Sequence, residues 1–128
     1  MRMILNRGSG NGNRVLKPET VDLMARNSMG KLRVAMLPSQ NPLLSRDAEF
    51  FPGLPKSWGL TFMINEEQAP TGRSAGSLSW AGLSNCYFWI DPKKDLAGVY
   101  LTQILPFVDL KSFPLFLEFE TAAYRPLH

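Results

Sequence analysis

The chain has one cysteine, Cys86, and one histidine, His128, among its 128 residues. A single cysteine excludes an internal disulfide and a cysteine-based metal cluster. Its apolar surroundings mark Cys86 as a small buried hydrophobe. With one histidine and no Asp/Glu grouping at ligand spacing, no metal site and no cofactor are expected. No apolar run approaches the ~18 residues of a membrane span, so no membrane partner is expected. Residues 1–6 are too short for the apolar region of a secretion signal, and glycines follow them directly. The compartment is therefore unspecified, with the cytoplasm as the default. A basic cluster is also lacking. The net charge is +3, but Lys93-Lys94 is the only adjacent basic pair, and it lies between Asp91 and Asp95. Dispersed charge of this kind argues against a nucleic-acid partner.

What is present suits one globular domain over residues 1–128, with an apolar fraction of 45%. The most structured stretch runs from Ser74 through Trp80-Ala81-Gly82 to Asp91-Pro92. It reads as a hairpin, with small residues in its first strand and bulky apolar ones in its second. Gly82 and Asn85 both tolerate the positive φ that a reversal needs. Proline after Asp91 ends the second strand.

Around the hairpin, the pattern predicts a short helical end over 1–6 and a flexible glycine-rich loop over 8–13. Pro18, Glu19 and Asp22 predict a helix over 18–26. Residues 31–56 carry four prolines and no sustained period, and a loop of that length usually borders a site or is mobile. Alternation predicts a strand over 58–65, and a fourth follows the hairpin at 96–103. A closing helix is expected over 112–124, capped by Ser112, with Pro114 in its first turn. Its apolar face would be Leu115, Phe119, Ala122 and Ala123, widened by Phe116. The fold class is α+β: an antiparallel meander of about four strands with flanking helices.

Three patterns match catalytic motifs as text. Gly72-Arg73-Ser74-Ala75-Gly76 fits G-x-S-x-G, but that elbow needs a strand before it and a helix after it. Here a strand follows, and the only histidine is the final residue. Ser28-Met29-Gly30-Lys31 fits S-x-x-K, but its serine follows a helix end instead of opening a helix. Trp80-Ala81-Gly82 ends a strand of small residues, where backbone N–H groups can stabilise an oxyanion; on three letters alone, a core tryptophan beside a turn glycine is the simpler explanation. Glu118 and Glu120 lie two apart on the closing helix and do not share a face.

Taken in order, several segments resemble the C-terminal portion of the serine β-lactamase-like hydrolases: class C β-lactamases, D-alanyl-D-alanine carboxypeptidases and related esterases. Val15-Leu16-Lys17-Pro18-Glu19-Thr20-Val21-Asp22-Leu23-Met24 is similar to the family's L-S-P-E-T-V-x-L-M helix, with Lys17 in place of the usual cap. Trp58-Gly59-Leu60-Thr61-Phe62 is similar to its G-Y-G-L-G-F strand. Gly72 to Ser77, Trp80-Ala81-Gly82 and Tyr87-Phe88-Trp89-Ile90-Asp91-Pro92 resemble the hairpin of its esterase-like members. Val99 to Gln103 and Leu115 to Glu120 resemble the next strand and the closing helix.

This resemblance implies a partial β-lactamase/transpeptidase-like fold. It makes Trp80-Ala81-Gly82 the third motif, where other members carry K-T-G or H-x-G, and Leu83 N–H an oxyanion donor. The cleft residues so implied are Trp80, Ala81, Gly82 and Leu83. The family's S-x-x-K and Y-x-N motifs would lie upstream of the matched region, so no catalytic residue is assigned to this chain. The implied protein is a truncated serine hydrolase, inactive alone, whose partner would be an ester or β-lactam-type small molecule once the missing part completes it. The alternative is a non-catalytic binding module. It would use the exposed edge of the fourth strand, which leaves a homo-oligomer open.

Overall fold

The computed structural model describes residues 1–127, so His128 and any role for it as a base lie outside the described residues. Its centre is a five-stranded antiparallel sheet in sequence order: β3 (Lys56–Trp58), β4 (Met63–Asn65), β5 (Leu78–Gly82), β6 (Cys86–Asp91) and β7 (Leu96–Tyr100). Ahead of it come α1 (Arg2–Leu5), a small hairpin of β1 (Ser9–Gly10) and β2 (Asn13–Arg14), and α2 (Pro18–Met24). Helix α3 (Ser112–Tyr124) closes the chain and runs into a 3₁₀ turn, Arg125–Leu127. The α+β meander expected from the sequence is the observed architecture. Among the described residues, no helix is long and apolar enough to cross a membrane.

Alternation along β6 divides the core in two. Tyr87 and Trp89 face α3 and stack with Phe116 and Tyr124, the Tyr87 and Phe116 rings lying 4.6 Å apart. Ile90 faces the other way, where Leu78, Ile64 and Phe62 pack with Ile4 of α1 and Val21 of α2. The bulky strand and the small-residue strand are direct partners: Trp89 opposes Ser79, and Tyr87 opposes Ala81.

Several expectations need correction. The strand expected over 58–65 is a hairpin, with Trp58 paired to Met63. Gly59 N–H donates to Phe62 O and Leu60 N–H to Met24 O, so the chain reverses where alternation alone predicted extension. This adds the fifth strand. The loop expected over 8–13 is the tight β1–β2 hairpin. In the central reversal Asn85 alone takes the left-handed conformation, at φ 56°; Gly82 does not.

Helix α3 has the expected limits but presents another face. It buries Ser112, Phe116, Glu120 and Tyr124, an i, i+4 row, and leaves Leu115 and Phe119 exposed. The apolar pattern missed this row because it contains a glutamate, and Arg73 is what makes that glutamate buriable. Nor is Ser112 the cap: Asp109 Oδ1 accepts the N–H groups of Lys111 and Ser112, each at 2.9 Å. Two backbone hydrogen bonds hold its carboxyl below the usual carboxylate range.

Residues 31–56 form no named strand before Lys56. They are held by isolated bridges, Leu37 to Ala48 and Ser45 to Phe107. With Ser28 they also close one edge of the sheet: Val34 N–H donates to Lys56 O, and Ser28 N–H to Trp58 O.

Candidate active-site wall

The segment Trp80-Ala81-Gly82 forms the end of β5, held by its ladder to Phe88, Tyr87 and Cys86. Leu83 follows in the turn and is 52% exposed. Its N–H has no hydrogen-bond acceptor among the described residues. The turn itself is firmly seated. Asn85 Nδ2 donates to Ile104 O and Pro106 O, both at 2.8 Å, and its Oδ1 accepts from Tyr87 Oη and Asp109 N–H. Thr102 Oγ1 donates to Ser84 O at 2.6 Å. A buried asparagine in the left-handed conformation, with both ends of its amide used, fixes the tip from below.

Trp80 packs edge-on against Trp58, with ring centroids 4.5 Å apart and planes at 80°. Beside this pair lies a groove of about 490 Å³ lined also by Met29, Arg33, Val34 and Leu37. Trp58 and residues 29–37 were not singled out from sequence as site residues. The one signal was the length and proline content of 31–56, which suggested a loop bordering a site, and part of that loop lines the groove.

The two serines singled out by motif are placed elsewhere. Ser74 sits in a structural tie. Arg73 pairs with Glu120 through Nε at 2.9 Å and through Nη2, and Thr71 Oγ1 donates to the same carboxylate. Gly72 packs so closely on Tyr124 that an added Cβ would lie 2.8 Å from that ring's own Cβ. Ser74 N–H donates to Asp91 Oδ2 at 2.8 Å, and Tyr124 Oη donates to the same oxygen at 3.1 Å. The other oxygen of Asp91 accepts the N–H groups of Lys93 and Lys94. Asp91 is therefore engaged in holding the backbone. Ser74 Oγ has no hydrogen bond to a base among the described residues, and a turn leads from it into β5. Burial, aided by Asp91, pushes the Tyr124 hydroxyl well above its ordinary value.

Ser28 follows the end of α2. Its Oγ donates to Arg26 O at 3.3 Å, and no hydrogen bond joins it to Lys31. The residues thus form neither an elbow nor a serine–lysine pair. Sequence reasoning also missed Lys56, which is 3% exposed and donates to Phe51 O and Leu54 O. Burial lowers its pKa, with Glu49 opposing. Its donors go to the loop that it ties to β3, so its role is structural. Among the described residues, no group of three His, Cys, Asp or Glu side chains is arranged to hold a metal ion.

No protein-family model matches the chain, and no curated protein matches it in sequence. Solved structures do match. The unliganded simvastatin synthase LovD of Aspergillus terreus is 26% identical, with a TM-score of 0.71 over 95% of this chain and 31% of LovD. Its LovD9 mutant is 24% identical at the same TM-score of 0.71, over 98% of this chain and 32% of its own. A penicillin-binding protein homolog from Caulobacter crescentus is 20% identical, with a TM-score of 0.65 over 96% of this chain and 29% of its own. The chain is similar to part of the β-lactamase-like fold. It spans about a third of the length of the structures it matches, and this fits a C-terminal fragment of that superfamily. Of the segments that the sequence resemblance named, the helix within 15–24, the central hairpin, the strand after it and α3 are present as such, whereas 58–62 is a reversal and not one strand.

Proposed function

We propose that the chain forms one wall of an acyl-transfer cleft of the serine β-lactamase-like type and carries no nucleophile of its own. The observation that supports this best is the end of β5, where the Leu83 N–H, without an acceptor among the described residues, follows Gly82 on the strand whose Trp80 lines the groove with Trp58. A backbone donor held in place before reaction is what stabilises the oxygen charge of a tetrahedral intermediate. The groove is largely apolar, which suits the acyl or alkyl part of a neutral ester. Trp80 stands where K-T-G members of the resembled family carry a cation; the cation on this wall is Arg33, whose Nη1 donates to Gly30 O and Leu32 O. Ser74 and Ser28 each lack a hydrogen-bonded base, so neither is activated for attack, and the chain alone forms no acyl-enzyme. Nucleophile and base would come from polypeptide outside these residues, and so would the choice of water or an alcohol as acyl acceptor.

Amide chemical shifts of the isotope-labelled chain, followed while a neutral phosphonate ester is added, test this reading. The expected result is saturable shifts at Gly82 and Leu83 and at the indole N–H groups of Trp58 and Trp80. Shifts confined to other surfaces, or none at millimolar ester, would remove its basis.

A further inference from the structure

On the side of β5 that faces α3, the interior holds polar groups that the fold does not pair. Ser79 stands between Met63 of β4 and Trp89 of β6 and is buried. Its Oγ has no hydrogen-bond partner among the described residues. Two residues earlier, Ser77 Oγ is likewise buried and unpaired, as are both ends of the Asn65 amide opposite it, whose backbone N–H donates to Ser77 O. A buried hydroxyl without a partner is destabilising, and native interiors rarely keep one. Ser79 also lines a small cavity under α3, with Arg73, Met63, Tyr87 and Phe116 on its wall. The centre of a water-sized sphere can move through about 10 Å³ of it, about the least that one water needs. Arg73 gives its Nε and Nη2 to Glu120, and its Nη1 has no acceptor among the described residues.

We infer that this cavity is a binding site for one internal water, which accepts a hydrogen bond from Arg73 Nη1 and donates one to Ser79 Oγ. Three features select water over other occupants. The space admits nothing larger. The guanidinium is already neutralised by Glu120, so the cavity has no unbalanced charge with which to hold an anion. The wall offers polar groups on one side, whereas a cavity lined only by apolar side chains stays dry. Ser79, Arg73, Met63, Tyr87 and Phe116 are each at most 4% exposed, so the site is built from this chain's own interior. The water links β5 to Arg73 and, through Glu120, to α3, beside the stacked rings of Tyr87 and Phe116. It ties strand to helix where their direct contacts are otherwise apolar. This inference stands apart from the acyl-transfer reading, since no atom of the Leu83 turn takes part in it.

Oxygen-17 relaxation dispersion of isotope-enriched solvent water, measured on the 128-residue chain, tests it. The signal counts waters held far longer than bulk water, and labile protons do not enter it. The wild-type chain should show such dispersion. Ser79→Val fills the cavity and removes the hydroxyl. It should lower the amplitude by about one water while far-UV circular dichroism stays unchanged. Ser79→Ala is the milder variant and should lower the urea midpoint, because the water loses a partner. A hydroxyl with no partner would instead be removed without loss, leaving the midpoint unchanged or raised. A wild-type chain without dispersion would overturn the proposal. So would an equal amplitude in folded Ser79→Val, or a Ser79→Ala midpoint at or above that of wild type.

Discussion

Trp89 and Gly98 oppose each other across β6 and β7, and a Cβ built on Gly98 would fall 2.0 Å from Cη2 of Trp89. The largest fully buried side chain therefore occupies the space that any other residue at position 98 would need. Gly98→Ala must push the indole off its neighbours Phe116 and Phe119 or shift the strand. Overpacking of this kind costs about 1–3 kcal/mol. Urea unfolding followed by tryptophan emission should show that loss. An unchanged midpoint would mean that the sheet relaxes without cost and that the Trp89 site is not tightly packed.

Arg73 and Glu120 make a second tie, joining the segment before β5 to α3, and their side chains are 2% and 0% exposed. Removing one member of a buried pair strands the other's charge, at a cost of about 3–5 kcal/mol. Glu120→Ala should therefore lose a large part of a total stability of about 5–15 kcal/mol. Exposed Glu118, two residues away, is the control, and Glu118→Ala should stay within about 0.5 kcal/mol of wild type. Equal effects in denaturant melts would contradict the pairing described for α3.

Asp109 gives a pH signature. The N–H groups of Ser112 and Lys111 favour its charged form, so its folded pKa lies below the ordinary 3.8. A carboxylate depressed in the folded state stabilises fully above its unfolded value and loses that contribution as pH falls through the folded one. The gap in melting temperature between wild type and Asp109→Ala should be constant near neutrality. It should narrow as the medium is acidified below the ordinary carboxylate value. A gap that does not change with acid would show that the carboxylate charge plays no part in starting α3.

These ties explain which parts of the fold could be read in advance. The hairpin of β5 and β6 was legible because its partners differ so plainly in size, and α2 because Pro18 and its acidic first turn are local signals. Helix α3 was legible in extent but not in facing, since its buried row depends on Arg73, 47 residues away in sequence. The reversal at residues 59–62 was hidden for a similar reason. Met24 O draws the Leu60 N–H, and nothing local to that stretch breaks the alternation. At the candidate site, the tip of β5 was legible through Trp80-Ala81-Gly82. The facing wall was not, because Val34 and Leu37 sit in a stretch with no period. The serine motifs failed through context that the text of a motif does not carry. Ser74 lies in a tie between β6 and α3, and Ser28 trails a helix.

The central claim is that this chain supplies a cleft wall without a nucleophile. Its most direct test is the intact mass of the purified protein after incubation with a fluorophosphonate. The account predicts an unaltered mass, with no adduct at Ser74 or Ser28. Stoichiometric labelling of either serine, abolished by its change to alanine, would contradict it.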